Sequence, residues 1–166
     1  MKTKLLLLLV PFLLGACGSN ATQQVAVSTP GILVEDAWVR ETTGAKDTTM
    51  TAAFLSLTNP GDTDVKLTSA TSPIAGVVQL HEMATQDGKM VMREKPGGIT
   101  VPAGSHTHLS PGGDHIMLMS LKRPLKPGDE VPLTLKFSDN TTHDLKVPVK
   151  AFTEEEEHYH PTPSTK

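Results

Sequence analysis

The sequence predicts an all-β fold, an antiparallel sandwich or barrel. Three observations carry that expectation. Short apolar segments alternate at period two. Turn signals recur roughly every 8 to 12 residues. No stretch sustains the 3.6-residue apolar repeat of a long helix, so helices should be minor.

A first strand is expected from Ile32, where Val34, Ala37 and Val39 alternate imperfectly around Trp38. Residues 44–48 read as a loop. A second strand covers 50–59, with Ala52, Phe54, Leu55 and Leu57 as apolar contacts. Asn59-Pro60-Gly61-Asp62 is a strong turn signal. Residues 65–70 put Val65 and Leu67 on one face. Strands at 77–83 and 90–93 flank Gln86-Asp87-Gly88-Lys89, whose Asp-Gly step favours the positive φ of a tight hairpin. Turns at Pro102-Ala103-Gly104 and Pro111-Gly112-Gly113-Asp114 bracket a strand at 106–109 and lead into another at 115–121. Pro127-Gly128-Asp129 precedes 131–137, with Leu133, Leu135 and Phe137 at period two. Asp139-Asn140 turns into 142–149, where Leu145, Val147 and Val149 alternate. No internal repeat interrupts this series.

The two ends differ from this core domain of residues 32–152. Lys2 and Lys4 start the chain, and residues 5–14 are apolar apart from Pro11. That run is short of the roughly 20 apolar residues needed to span a bilayer. It meets Leu14-Gly15-Ala16-Cys17, then Gly18-Ser19-Asn20. We read 1–16 as a lipoprotein signal peptide and Cys17 as the lipidated first residue of the mature chain. Residues 17–31, polar and ending in Pro30-Gly31, then form a tether. Cys17 is the only cysteine, so the domain has no disulfide, thiolate site or cysteine nucleophile. Its lipid expectation places the protein in the periplasm, anchored to a membrane. Gly18 after the cysteine leans towards the outer one. Without Lys2 and Lys4 the chain has 13 basic and 18 acidic residues, a net charge of −5. No basic patch invites nucleic acid, and a monomer is expected. Residues 153–166 place four adjacent glutamates after Thr153 and carry His158, His160, Pro161 and Pro163. Charge repulsion and proline predict a disordered acidic tail.

The chemistry lies between His81 and Met119: His81-Glu82-Met83, Met90-Val91-Met92 and His115-Ile116-Met117-Leu118-Met119. In a strand, residues two apart share a face, about 6.6 Å from one another. His81 and Met83 therefore share one face, and His115, Met117 and Met119 another. A hairpin at Asp87-Gly88 brings His81 near Met92, and a further strand bearing His115 and Met117 completes four ligands. Thioether sulfur is soft and uncharged, which favours Cu(I) over zinc or hard cations, while imidazole accepts most late first-row metals. Met83 and Met119 are auxiliary candidates. The competing interpretation is that these methionines simply fill the core.

Residues 32–149 resemble the PCu(A)C-type periplasmic copper chaperones. That family's motif is a histidine, ten residues, a methionine, about 21 residues, then H-x-M. Here ten residues separate His81 from Met92, and His115-Ile116-Met117 closes the pattern. Further likeness lies in Ala37-Trp38-Val39-Arg40, Val101-Pro102-Ala103-Gly104, Pro111-Gly112-Gly113 and the stretch from Leu121 to Asp129. One departure is visible: 22 residues lie between Met92 and His115, and we place the extra one in the loop around residues 94–98. The resemblance implies a cupredoxin-like barrel or sandwich of Greek-key type. It also implies a Cu(I) site formed by His81, Met92, His115 and Met117, and copper delivery for assembly of cytochrome c oxidase. The partner would be a copper-accepting oxidase subunit or another copper chaperone.

The remaining histidines read more weakly. His106 and His108 share a strand face, a pair that could bind Cu(II) or zinc, but with no third ligand evident nearby the face reads as solvated, and His143 reads as surface. His158 and His160 behind the glutamates suit a second site for Cu(II). An enzyme is not expected, because no nucleophile–base set, carboxylate pair or phosphate loop stands out. A blue-copper electron carrier lacks its cysteine. The alternatives to a chaperone are a metal-free Ig-like interaction lipoprotein, in which His81 would be buried, and a periplasmic copper-storage or scavenging protein.

Overall fold

A computed structural model describes residues 31–151. The leader, Cys17, the tether up to residue 30, and the tail with His158 and His160 lie outside the described residues. Ten strands, and no helix, occur among those described: β1 (Leu33–Arg40), β2 (Met50–Asn59), β3 (Val65–Thr71), β4 (Ala75–Gln86), β5 (Lys89–Glu94), β6 (Ile99–Val101), β7 (Ser105–Leu109), β8 (His115–Leu121), β9 (Glu130–Phe137) and β10 (Thr142–Lys150).

The strands follow the order β5-β4-β8-β2-β1-β10-β9-β3-β6, with β7 also paired to β2. Two halves result. β5, β4, β8, β2, β7 and β1 form one sheet, and β10, β9, β3 and β6 form the other. A single apolar cluster lies between them, drawing Leu57, Leu80, Ile116 and Leu118 from the first and Leu67, Ile99, Leu133, Leu135 and Val147 from the second. Burying such side chains contributes about 1.5–3 kcal/mol each, which lets the domain cohere without a disulfide.

Two details depart from the sequence reading. The sandwich is not purely antiparallel: β1 and β10 pair in parallel through Val39–Val149 and Arg40–Lys150, joining the halves. A three-residue strand, β6, was too short to show any period, yet Ile99 and Val101 are buried against β3. The imperfect alternation around Trp38 also has a cause. A bulge lies between Glu35 and Trp38 in the β1–β2 register, and Asp36 adopts φ 51°. A bulge adds one residue to one strand and so shifts the inward positions by one.

The Asn59-Pro60-Gly61-Asp62 turn is held from inside. Buried Asn59 donates to the carbonyls of Thr63 and Val101 at 2.8 and 3.0 Å, and accepts from the Gly61 amide at 3.0 Å. Residues 95–98 close β5 onto β6, with the Gly98 amide donating to the Lys95 carbonyl at 3.1 Å. Gly98 has φ 75°, and a Cβ there would meet the Leu67 carbonyl oxygen at 2.5 Å, so this turn requires glycine.

Candidate metal centre

Register decides which side chains meet. β8 lies between β4 and β2: His81 stands opposite His115, Gln79 opposite Met117 and Val77 opposite Met119, while Ala52 faces Met117 and Met50 faces Met119 from the other side. The alternate residues of these strands, Val78, Leu80, Ile116 and Leu118, pack into or against the core. The first set therefore lies on the outer face of the sheet. In the β4–β5 hairpin, Met83 is opposite Met92 and Thr85 opposite Met90, which adds three more methionines to that face. All six methionines of the described residues thus lie there, and none belongs to the core cluster. Core filling does not explain them.

The predicted residues come together closely. The His81 and His115 rings stand 5.7 Å apart between centroids. His115 Nε2 lies 3.2 Å from Met92 Sδ. Met83, Met92, His115 and Met117 line one open cavity of about 320 Å³, together with Met50 and Phe54. His81 adjoins it through His115. Met119 lies one step further along β8, opposite Met50 and Val77. The cluster lies on a sheet face, where His81, His115 and Met117 are buried and Met92 is 49% exposed.

Both imidazoles have defined tautomers. His115 Nδ1–H donates to the Gly113 carbonyl at 2.9 Å, so in the neutral ring Nε2 carries the free electron pair. A thioether carries no proton to donate, so Nε2 and Met92 Sδ face one another as two bare electron-pair donors. For His81, the amide of Gln79 sets the direction. Gln79 Nε2 donates to Glu94 Oε2 at 3.0 Å, so its Oε1 accepts from His81 Nε2–H at 3.1 Å. His81 Nδ1 is then the acceptor, and it is buried with no hydrogen-bond partner. Burial holds the His81 pKa below its ordinary 6.5, His115 pushes the same way, and Glu94 opposes them. A neutral, ligand-competent ring is the outcome.

An ion network braces the frame. Lys95 Nζ donates to Asp114 Oδ2 at 2.9 Å and lies 3.3 Å from Glu82 Oε2, while Arg93 Nε donates to Glu82 at 2.8 Å. Burial works against charge on Lys95, but Asp114 and then Glu82 more than offset it and raise its pKa. Hydrogen bonds from Arg93 and Lys95 hold Glu82 below the usual carboxylate range. Because Glu82 follows His81 and Asp114 precedes His115, Lys95 locks the two histidine-bearing strands together. Both carboxylates are engaged by cations, which leaves the cavity itself without a free anion from them.

Sequence reasoning overlooked Met50, Gln79 and Glu94. Their signal was strand parity, but parity becomes informative only once β2 and β5 are known to flank β8 and β4. Among the described residues, no group of three or more His, Cys, Asp or Glu could hold a metal. An ion held here by three or more side chains would therefore need sulfur among its ligands.

Comparisons with known proteins follow the same lines. The LpqE-like lipoprotein family matches residues 32–149. A protein of Leifsonia xyli subsp. xyli, named as lipoprotein Lxx21020, is 42% identical over 152 residues, 89% of each chain. The solution structure of Cu(I)-DR1885 from Deinococcus radiodurans is 36% identical, covers 78% of this chain and 85% of that one, and superposes with a TM-score of 0.59. The copper-bound PCuAC domain from PmoF2 is 21% identical, with coverage of 75% and 96% and a TM-score of 0.60, a likeness of fold.

Proposed function

This chain belongs to the LpqE-like, PCuAC-related lipoprotein family, and from that premise we propose that it is a copper chaperone, not an enzyme, which holds one Cu(I) between His81, Met92, His115 and Met117. One observation carries the reading: His115 Nε2 and Met92 Sδ stand 3.2 Å apart, and with the ring neutral and Nδ1–H on the Gly113 carbonyl both are electron-pair donors. Imidazole nitrogen and sulfur bind an ion of zinc's size at about 2.0–2.1 and 2.3 Å, so two such ligands at a tetrahedral angle stand about 3.5 Å apart. The pair is close to the spacing that a shared ion requires. His81 Nδ1, buried without a partner, is a third donor whose missing contact a cation would supply. The Gly113 carbonyl behind His115 and the Gln79 amide behind His81 orient the rings, as outer contacts orient metal-binding histidines. Met117, buried two residues beyond His115 on the same face, supplies the second sulfur.

Four neutral ligands suit a monovalent, soft ion. Delivery needs a way out, and Met92 on the exposed hairpin is the ligand an acceptor could displace first. We place the domain outside the cytoplasm on a lipidated Cys17, in keeping with the lipoprotein name of its Leifsonia relative; the lean towards the outer membrane rests on Gly18 alone. Copper supply to an oxidase, and Cu(II) binding by His158 and His160, belong to the same reading.

The buried His81 is what a metal-free interaction protein was expected to show. Its cover, however, comes from the outer face, where Gln79, Glu94 and His115 surround it, and not from the core cluster. Cu(I) titration against a competing chelator decides between them. Saturation near one equivalent, with X-ray absorption giving two sulfur and two nitrogen neighbours, is expected. A thermal midpoint indifferent to Cu(I) would leave the interaction reading standing.

A further inference from the structure

One pair of histidines is left unused by that site. Along β2, Met50, Ala52, Phe54, Ser56 and Thr58 alternate onto the outer face. β8 and β7 lie end to end beside it, because β8 pairs with residues 50–53 and β7 with residues 55–59. Met119 is opposite Met50, Met117 opposite Ala52, His108 opposite Ser56 and His106 opposite Thr58. Phe54 fills the step between, and its ring centroid lies 6.3 Å from that of His115. The loop at 110–114 keeps the two strands in line through a hydrogen bond from the Ser110 amide to the Asp114 carbonyl, 3.0 Å. A single row results: Met119, Met117, His115, His108, His106.

His106 and His108 are both exposed, with ring centroids 4.8 Å apart. His108 Nδ1 is hydrogen-bonded to Ser56 Oγ at 2.8 Å, which fixes the ring and commits that nitrogen. Nε2 is thereby the nitrogen left to a ligand from solution. We propose that His106 and His108 form a separate site for a divalent d-block ion, above all Cu(II), binding through one nitrogen of each ring with water completing the shell. Among divalent first-row ions Cu(II) binds such nitrogen donors most tightly. Ser56 serves as the outer contact that orients the His108 ring. No sulfur stands opposite either histidine on β2, so nothing here favours Cu(I). Soft donors at one end of the row and imidazoles at the other would sort the two oxidation states of one metal on one face. The site stands or falls independently of the Cu(I) reading.

The test is amide NMR on the full chain with substoichiometric Cu(II), whose unpaired electron broadens nearby resonances. Broadening is expected at residues 55–58 and 105–109, and the H106Q/H108Q double variant should lose it while keeping its Cu(I) end point. Both residues are exposed, so the variant should fold. As a second measurement on the unaltered chain, Zn(II) should shift the ring resonances of His106 and His108 together. Broadening confined to residues 79–83 and 113–117 or to His158 and His160, an unchanged double variant, or Zn(II) shifts that spare His106 and His108 would each overturn the proposal.

Discussion

Met92→Leu separates binding from folding. Met92 is half exposed on the β4–β5 hairpin and absent from the core, so the swap of one unbranched apolar side chain for leucine should change apo stability by about 0.5 kcal/mol or less. For a domain of this size each kcal/mol moves the midpoint by about 4 °C, so the apo Tm should shift by no more than about 2 °C. The Cu(I) effect is far larger. At free Cu(I) a hundredfold above Kd, binding stabilises the native state by about 2.7 kcal/mol, a rise of about 11 °C. If losing one of four ligands weakens binding about a hundredfold, the same Cu(I) level only equals the variant's Kd. Stabilisation then falls to about 0.4 kcal/mol, a rise of about 2 °C. The assay is thermal unfolding of both proteins, with and without chelator-buffered Cu(I). Should Met92→Leu retain the full Cu(I)-dependent rise, Met92 is no ligand and the facing pair at 3.2 Å has been misread.

Three other outcomes are expected. His81 has a lowered pKa in the folded chain, so the folded state binds fewer protons than the unfolded state below pH 6.5; the apo Tm should drop as pH falls from about 7 to 5, and His81→Gln should flatten that slope, an unaltered slope counting against it. Lys95→Met removes the clamp between Glu82 and Asp114, and since Lys95 is about a third exposed the stability cost should be only about 1 kcal/mol or less, with Cu(I) binding weakened as β4 and β8 loosen; unchanged affinity would show that the clamp does not position the histidines. Gly98→Ala forces a Cβ to within 2.5 Å of the Leu67 carbonyl at φ 75° and should cost about 1–3 kcal/mol by denaturant unfolding while leaving Cu(I) stoichiometry at one; a neutral result would mean that the β5–β6 turn yields easily.

Much of the fold was legible because its signals are local. A strand buried on one face must alternate, so β2, β3, β9 and β10 could be read from apolar period, and turns from proline, glycine and asparagine. The H-x-M spacing says that His115 and Met117 share a face, whatever sheet they join. Asp87, at φ 51°, and Gly88, at φ 75°, similarly form the tight turn that the Asp-Gly step predicts. Where a signal needs length or regularity it failed: β6 has three residues, and the Asp36 bulge shifts the inward pattern of β1.

The donor atoms, and the alternation that makes pairs of them neighbours, were determined by the sequence itself, since side-chain chemistry and a period of two belong to the chain wherever it folds. Tertiary structure decided everything that passes between strands. Which strands flank β8, which of two faces the methionines take, and which proton each imidazole keeps depend on register and on groups distant in sequence, such as Glu94 behind Gln79 and the carbonyl of Gly113 behind His115. Alternation fixes a face only relative to its own strand; it takes the shared core to orient all the strands at once, and so to gather six thioethers on the side that the core rejects.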